Sequence, residues 1–164
     1  MEKTDNDWMR DAIALAIREK GSEPARTPIA ALIVRNGVCI GSGVNRTAEC
    51  CDATAHAEVM ALRDAGKATG QTRIEGATLY STLQPCGMCT MASIWGGIGR
   101  IVFGAGRDDV HKMYFEDRHL DTIDFVRDAY KDDLSLEGGV EAERCARLYY
   151  APGDDVPEDA QANT

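Results

Sequence analysis

The sequence predicts an α/β protein in which helices cover both faces of a single sheet. Its apolar patterns alternate between helical and strand spacing, in the order helix, hairpin, helix, strand, helix, strand. Such alternation is typical of layered α/β folds. The pair Asn36-Gly37, between two apolar runs, is the strongest short signal for a hairpin. The 164 residues suffice for one domain with a good core and are too few for two.

The N-terminal part is predicted to form one helix and the hairpin. Asn6-Asp7 can cap the helix, and Gly21 stops it. The apolar residues of this helix recur at helical spacing: Trp8, Ala12, Ile13, Ala16 and Ile17. The hairpin strands are the apolar run at 29–34 and its return at 38–44. A loop over 46–53 then leads to the second helix.

The rest of the chain alternates strand and helix. The predicted elements are a helix from His56 to Gly66 or Gly70, a strand at 77–83, a cysteine-containing helix from Pro85 to Gly96, a strand at 100–104, a short fifth strand at 134–136 and a final helix at 140–150. We expect residues 1–150 to form one domain and residues 151–164 to be a disordered acidic tail.

Composition and charge bound the class of function. The chain carries a net charge of −9 and is 44% hydrophobic, values that suit a globular protein. It has no run of about 18 apolar residues that would span a membrane, and its acidic N-terminus does not resemble a signal peptide. Six cysteines in such a chain are interpreted as reduced thiols of a cytoplasmic protein. Because no basic run is available to neutralise phosphates, nucleic acid is not expected as a partner.

Two short motifs supply a candidate metal site made of His56, Cys86 and Cys89. Imidazole nitrogen and thiolate are preferred zinc ligands, and three protein ligands leave a fourth tetrahedral position open, as in catalytic zinc sites. The cysteines are three residues apart, so they are predicted to share one face of a helix. Pro85 suits the first position of that helix.

Glu58 is the candidate acid/base group. It follows His56 by two residues, which turn by about 200° on a helix, so both side chains cannot coordinate from one face. We therefore assign Glu58 the transfer of protons between substrate and a water that zinc makes nucleophilic near neutral pH. The order H-x-E and then P-C-x-x-C is the arrangement of zinc-dependent base deaminases.

At both motifs the sequence resembles the cytidine/nucleobase deaminase superfamily, and the resemblance covers roughly residues 29–104. It implies a three-layer α/β/α fold with a mixed five-stranded sheet, a zinc cofactor and hydrolytic release of ammonia. It also implies roles for individual residues: His56, Cys86 and Cys89 as metal ligands, Glu58 as proton shuttle, and Asn45, Ala57, Trp95 and Asp117 as substrate contacts, with Asp117 also catalytic.

Two branches of this superfamily compete. Trp95 and the step Phe115-Glu116-Asp117 resemble the guanine deaminase-like branch, which acts on free bases. The run at 98–105 and the segment at 143–146 resemble the tRNA adenosine deaminase branch, although Asp108-Asp109-Val110-His111 replaces a lysine and threonine usual there.

We predict a deaminase of a small, free nucleobase or related heterocycle, with guanine first and an amino-triazine or another purine next. The alternatives are a tRNA-specific adenosine deaminase or a cytosine/cytidine deaminase. A non-catalytic zinc scaffold ranks last, because it would have no use for Glu58.

Superfamily members are commonly dimers, so the resemblance implies a homodimer. Trp8, Tyr149 and Tyr150 lie on end segments that could cross to the partner.

Further residues outside the two motifs are weighed as possible ligands or substrate contacts. Cys50 and Cys51 could add a zinc ligand, but they are better explained as loop cysteines. His111 and His119 are interpreted as surface or loop residues, and His119, beside the acidic step, could also touch substrate.

Overall fold

The helices and strands follow the predicted order. The computed structural model describes residues 2–20, 28–115, 124, 126–127 and 134–157. Within these ranges the helices are α1 (Asp5–Lys20), α2 (Thr47–Cys50), α3 (Ala57–Thr69), α4 (Gly87–Trp95) and α5 (Ala142–Ala146). The strands are β1 (Ala30–Arg35), β2 (Val38–Val44), β3 (Ala77–Leu83), β4 (Arg100–Ala105) and β5 (Ser135–Glu137), and a 3-10 turn covers Lys112–Tyr114.

The five strands form one mixed sheet in the order β2-β1-β3-β4-β5. β1 pairs antiparallel with both β2 and β3, whereas β3 with β4 and β4 with β5 are parallel pairs. A parallel pair needs a crossover between its strands, and α4 supplies it between β3 and β4. The predicted five-stranded α/β fold is confirmed.

Alternate residues along the strands build a core on each face of the sheet. On one face, Leu32 of β1 packs in a cluster with Met9 of α1 and Cys145 of α5. On the other face, Ile33 packs in a cluster with Ala61 of α3. The sheet is thus sandwiched between two helical layers.

The hairpin between β1 and β2 closes at the predicted turn. Asn36 has a φ of 53° and Gly37 a φ of 71°. Two positive φ angles in a two-residue loop match the twist of antiparallel strands.

Helix α3 rests directly on the edge strand β2. A Cβ atom built on Gly43 would lie 2.4 Å from both the Ala57 carbonyl oxygen and the Ala61 nitrogen. One built on Gly41 would lie 2.5 Å from the Ala65 nitrogen. Only glycine allows the helix backbone to come this close, so these two positions fix where α3 and its first turn lie.

Helix α1 begins earlier than predicted. Thr4 caps it: the Thr4 Oγ1 accepts a hydrogen bond from the Asp7 N–H at 3.3 Å, and the Asp7 Oδ2 accepts one from the Thr4 N–H at 2.9 Å. This reciprocal cap satisfies two N–H groups that lack partners in the first turn. The predicted cap at Asn6-Asp7 was wrong, because these residues lie inside that turn.

Three other boundaries differ from the prediction. Cys86 has extended backbone (φ −71°, ψ 172°) and caps α4, so Pro85 precedes the helix and is not its first residue. The loop predicted at 46–53 contains the short helix α2. The last helix is five residues long, because turns follow it from Arg147.

The aromatic residues of the end segments are mostly buried in the chain's own core. Trp8 is 7% exposed and Tyr149 is 9% exposed, and the Tyr149 hydroxyl lies 2.7 Å from the Thr82 Oγ1. They fill space against the sheet, so the prediction that they cross to a partner was wrong for these two residues. Tyr150 keeps 36% exposure.

The C-terminal segment is described as far as residue 157. Pro152 and Gly153 form a turn, beside which the Ala151 N–H donates to the Asp154 Oδ2 at 2.7 Å. The predicted boundary at 150 and disordered tail stay predictions, since residues 158–164 lie outside the described ranges. Across those ranges, no helix combines the length and apolar character that crossing a membrane requires.

Candidate active site

The three predicted metal ligands meet where two helices begin. His56 is the N-cap residue of α3 and has extended backbone (φ −69°, ψ 156°). Cys86 is the N-cap residue of α4, and Cys89 lies in the first turn of that helix. Free N–H groups and the positive end of the helix dipole favour negatively charged thiolate at this position.

The spacing of these ligand atoms fits a zinc ion. The His56 Nδ1 lies 3.7 Å from the Cys86 Sγ and 3.6 Å from the Cys89 Sγ. Bond lengths of about 2.3 Å to sulfur and 2.0–2.1 Å to nitrogen give an edge of about 3.6 Å in a tetrahedral site. Among the described residues, these three form the cluster of metal-ligating groups, with all ligand atoms within 4.8 Å of one another.

The two thiols are electrostatically prepared for a cation. A hydrogen bond from the Cys89 thiol is the main cause that lowers the pKa of Cys86 to about 4. The same shared proton raises the pKa of Cys89, and burial adds to that shift. The pair thus favours a thiolate at Cys86, and a bound metal would displace the protons that remain.

Glu58 is the buried carboxyl group beside this cluster. It lies in the first turn of α3, and its side chain is 4% exposed. Burial raises the pKa of Glu58, and the negative charge of Cys86 raises it further. The Ser81 hydroxyl of β3 donates a hydrogen bond to the Glu58 Oε1 at 3.0 Å. A carboxyl group held in this way, next to metal ligands, is suited to accept and return protons.

The family model described as the cytidine and deoxycytidylate deaminase zinc-binding region matches residues 2–105. The chain belongs to this family. The match includes His56, Glu58, Cys86 and Cys89, and the chemistry of the donor set agrees with a zinc cofactor.

Individual relatives of this deaminase include enzymes named for tRNA. It is 36% identical to a tRNA-specific adenosine deaminase of Buchnera aphidicola, over 88% of this chain and 90% of the relative. A solved structure from a study of A-to-I editing by tRNA:A34 deaminases is 33% identical, with a TM-score of 0.72 over 86% of this chain and 97% of that chain. Together with the family match, these relatives confirm a hydrolytic deaminase.

Guanine deaminases share the fold at lower sequence identity. A solved guanine deaminase from Nitrosomonas europaea has a TM-score of 0.77 and 22% identity, over 88% of this chain and 82% of that chain. Identity this low indicates a common fold and does not extend to the substrate.

These comparisons overturn the expectation about partners. Nucleic acid was not expected, and a free nucleobase was expected as substrate, yet relatives matched along nearly the whole chain are named for tRNA. The expectation about nucleic acid rested on the net charge of −9 and the absence of a basic run, and the expectation of a free base rested on Trp95 and the step Phe115-Glu116-Asp117. A net charge is a sum over the whole surface and does not report a local cationic patch.

Asn45 and Ala57 lie next to the ligand cluster. Asn45 directly follows β2, and the neighbouring Arg46 N–H donates to the Ala55 carbonyl at 2.9 Å, one residue before His56. Ala57 is fully buried at the start of α3. The deaminase thus holds both residues beside the metal ligands, and their predicted contacts with substrate stay predictions.

Trp95 lies at the other end of α4 from the cysteines. Its side chain is 71% exposed and lines a groove between α3 and α4 with Val59 and Leu62. The helix separates it from Cys86 by nine residues, about 13 Å at 1.5 Å per residue. This position within one chain does not support a contact between Trp95 and substrate. The predicted contact therefore stays a prediction.

Asp117 and His119 lie outside the described residues. The catalytic and substrate-binding roles predicted for Asp117 therefore stay predictions. His111 caps the 3-10 turn, where its Nδ1 accepts a hydrogen bond from the Met113 N–H at 3.2 Å.

Cys50 and Cys51 are both exposed, at the end of α2. The cluster of metal-ligating groups found within the described ranges does not include them. This placement agrees with their interpretation as cysteines outside the metal site.

Ser81 is the site residue that the sequence interpretation missed. It is fully buried in β3, two residues after Leu79, which belongs to the apolar cluster on the α3 face. A polar residue at an inward position of a buried strand needs a hydrogen-bond partner. That rule could have pointed to Ser81, although the rule alone does not identify Glu58 as the partner.

Proposed function

We propose that this deaminase converts an adenosine in tRNA, at the wobble position 34, to inosine. The observation that carries the proposal is the similarity to a tRNA-specific adenosine deaminase over 88% of this chain and 90% of that relative. A tRNA(adenine(34)) deaminase of Arabidopsis thaliana, 37% identical over 62% of this chain, adds support.

The reaction replaces the amino group of adenine by oxygen from water and releases ammonia. His56, Cys86 and Cys89 would hold zinc, which when bound supplies a Lewis acid that lowers the pKa of water. Glu58 accepts a proton from the attacking water and delivers it to the ring nitrogen, and it then takes the proton of the newly added hydroxyl group and delivers it to the departing amino group. Ser81 holds the Glu58 Oε1 during these transfers.

The adenine must leave its stack to reach these groups. Nucleobase deaminases act on single-stranded or extruded bases, because their target atoms are inaccessible inside a duplex. Asn45 lies at the end of β2 beside the ligand segment, where its side-chain amide can both donate to and accept from a base edge. We assign Asn45 this contact.

A deamination assay on tRNA transcripts tests the proposal. The purified, zinc-loaded enzyme is incubated with transcripts that carry adenosine or guanosine at position 34, and inosine is detected by sequencing and by nucleoside analysis. We expect inosine only in the A34 transcript. Glu58→Gln protein serves as the inactive control.

The same assay includes adenosine, guanine, cytosine and cytidine, with ammonia release as the readout. Conversion of one of these without conversion of A34 would overturn the tRNA proposal, while the assignment as a deaminase would stand. If the fully zinc-loaded protein forms neither inosine from the A34 transcript nor ammonia from the small substrates, the proposed activity on tRNA is wrong.

The homodimer also stays a prediction. The exposed Trp95 side chain and the groove that it lines between α3 and α4 support an association through this face. Light scattering at micromolar concentration should give twice the chain mass, and Trp95→Ala should shift it toward the monomer. A monomeric wild-type protein would contradict the prediction.

A further inference from the structure

We propose that a basic cleft at the β2 edge of the sheet binds phosphate groups of the tRNA backbone. The edge cleft lies between α1, β2 and α3, has a volume of about 650 Å³, and is lined on its cationic side by Arg18, Arg46, Arg63 and Lys67. The proposal rests on the proposed function, because the bound phosphates belong to the same RNA that carries the adenosine.

The edge cleft concentrates positive charge on an acidic protein. Its lining includes four cationic side chains and two carboxylates, Glu19 and Asp64, whereas the whole chain carries a net charge of −9. Asp64 already has a hydrogen-bond partner in the protein, because its Oδ2 accepts from the Ser42 N–H of β2 at 2.9 Å. The lining residues alone thus include two more cations than carboxylates, opposite in sign to the net charge of the chain, and this grouping favours a polyanion.

The cationic groups differ in their ion pairs with neighbouring carboxylates. Arg46 is placed between two carboxylates, with its Nη1 2.8 Å from the Glu49 Oε2 and its Nη2 3.4 Å from the Glu19 Oε2. Arg18 contacts Glu19 at 3.3 Å, but its side chain is 71% exposed. Exposed pairs of this kind are weak and exchange readily with other anions.

Arg63 and Lys67 extend the cationic surface along α3. They are four residues apart, so they lie on the same side of the helix, about one 5.4 Å turn from each other. Lys67 is exposed, and no ion pair to it is found within the described ranges. Arg63 is half exposed and also binds the Asp52 Oδ2 at 3.3 Å.

The edge cleft is built on β2 and α3, and the same helix carries Glu58. Val44, which lines it, directly precedes Asn45. Met60, also in its lining, donates its backbone N–H to the His56 carbonyl at 2.9 Å. An RNA strand whose extruded base reaches Glu58 can therefore continue over the edge cleft, as backbones follow cationic grooves in other single-strand binders.

Charge reversal at two exposed cations of the cleft, Arg18 and Lys67, tests this site. Arg18→Glu, Lys67→Glu and the double variant are compared with wild type for tRNA affinity at several salt concentrations and for kcat and KM on A34 transcripts. Affinity falls as salt increases, and each lost phosphate contact should make the plot of log affinity against log salt less steep by about 0.7–0.9. Affinity should also fall roughly tenfold per site at low salt. KM should rise while kcat stays near the wild-type value.

Arg73→Glu is the matched control. Arg73 is also exposed and also pairs with a nearby glutamate, Glu75, at 3.3 Å, but it lies before β3 at the opposite end of the sheet from the cysteines. Its reversal should leave the salt slope unchanged. Zinc content and thermal melting of all variants exclude misfolding as the cause of a change.

The outcomes separate the edge cleft from the proposed function. If wild type binds and deaminates the transcript while the Arg18 and Lys67 variants keep its affinity and salt slope, the cleft proposal is wrong and the function stands. If wild type binds tRNA through these residues without forming inosine, the cleft stands and the function is wrong. If wild type does not bind tRNA, both are overturned.

Discussion

The surroundings of Glu58 suit its carboxyl group to proton transfer. One oxygen accepts the Ser81 hydroxyl at 3.0 Å, and the side chain is 4% exposed. Burial and the nearby Cys86 charge both raise the pKa of Glu58, so its carboxyl group binds a proton more readily than it does in water. A group that can hold a proton and give it back fits the transfer steps of deamination.

Glu58→Gln should abolish turnover while the metal stays bound. The amide keeps the shape of the side chain but cannot carry the proton, so kcat should fall by about 10²–10⁴-fold. Metal analysis should still give about one zinc per chain, because the three ligands are unchanged. Glu75→Gln, at an exposed glutamate, is the control, and a near-wild-type rate for Glu58→Gln with full zinc would refute the role.

Ser81→Ala should lower kcat with little change in KM. Ser81 positions Glu58 and lies fully buried in the strand, so the variant removes one hydrogen bond and leaves the surface unchanged. We expect a loss of roughly tenfold, which corresponds to about 1–1.5 kcal/mol for one hydrogen bond. Ser81→Thr keeps a hydroxyl and should recover part of the rate; equal rates for the alanine and threonine variants would contradict the positioning role.

At the scale of elements, the glycines of β2 place the catalytic helix. A methyl group on Gly43 would lie 2.4 Å from the α3 backbone, so Gly43→Ala must displace the helix that begins next to His56. We expect lower zinc affinity, a fall in kcat of at least tenfold and lower thermal stability, since a 1 Å displacement of catalytic groups is costly. Gly99→Ala is the control, because a Cβ atom there meets nothing within 4 Å.

The measurement is zinc retention under increasing chelator concentration, together with kcat. If Gly43→Ala holds zinc and turns over as Gly99→Ala does, then α3 tolerates the displacement and the glycine contact does not set the site geometry.

Sequence patterns predicted the elements better than their ends. Strand 77–83 and the Asn36-Gly37 turn were correct, since apolar alternation and turn chemistry are local signals. The cap of α1 at Thr4 was missed because Asn6 and Asp7 are themselves good cap residues. Choosing among several adequate caps depends on where the helix packs, which local pattern does not contain.

The metal site was predictable because its ligands carry their own chemistry in short motifs. The Ser81 to Glu58 contact joins residues 23 positions apart, and neither residue marks the other in the sequence. The edge cleft was missed for a related reason: its cations come from α1, from α3 and from the residue after Asn45, so none of them forms a basic run. The expectation that nucleic acid is not a partner was wrong, because total charge and the absence of a basic run do not report such local groupings.

At the scale of the whole molecule, Arg100 ties the first helix to the far strands. Its guanidinium donates to both carboxylate oxygens of Asp5 at 2.9 and 2.7 Å and contacts the Glu137 Oε2 at 2.8 Å. The Tyr80 hydroxyl donates to the Asp5 Oδ1 at 2.7 Å. This network links α1, β3, β4 and β5.

Asp5→Asn should therefore lower the free energy of unfolding at neutral pH. The hydrogen bonds from Arg100 are the main cause that lowers the pKa of Asp5 from 3.8 to about 2. A lowered folded-state pKa adds stability above pH 3.8, and this contribution disappears as the pH falls toward 2. Because the pair is partly exposed, we expect an effect of about 1 kcal/mol.

Urea unfolding at several pH values measures this contribution. The difference between wild type and Asp5→Asn should be largest at pH 6–7, roughly two units or more above the unfolded-state pKa, and should shrink below pH 4. A difference that does not change with pH would show that the variant acts through packing rather than through charge.

The distance along the chain between the metal ligands has a consequence for how the protein is made. His56 and Cys86 are 30 residues apart, so at about 5–20 residues per second the ribosome needs roughly 2–6 seconds between adding them. During that interval α3 and then β3 are added to the chain, and β3 pairs with the free edge of β1. Zinc can therefore join the two helix starts only after the central strand has been synthesised, so metal loading cannot precede the synthesis of β3.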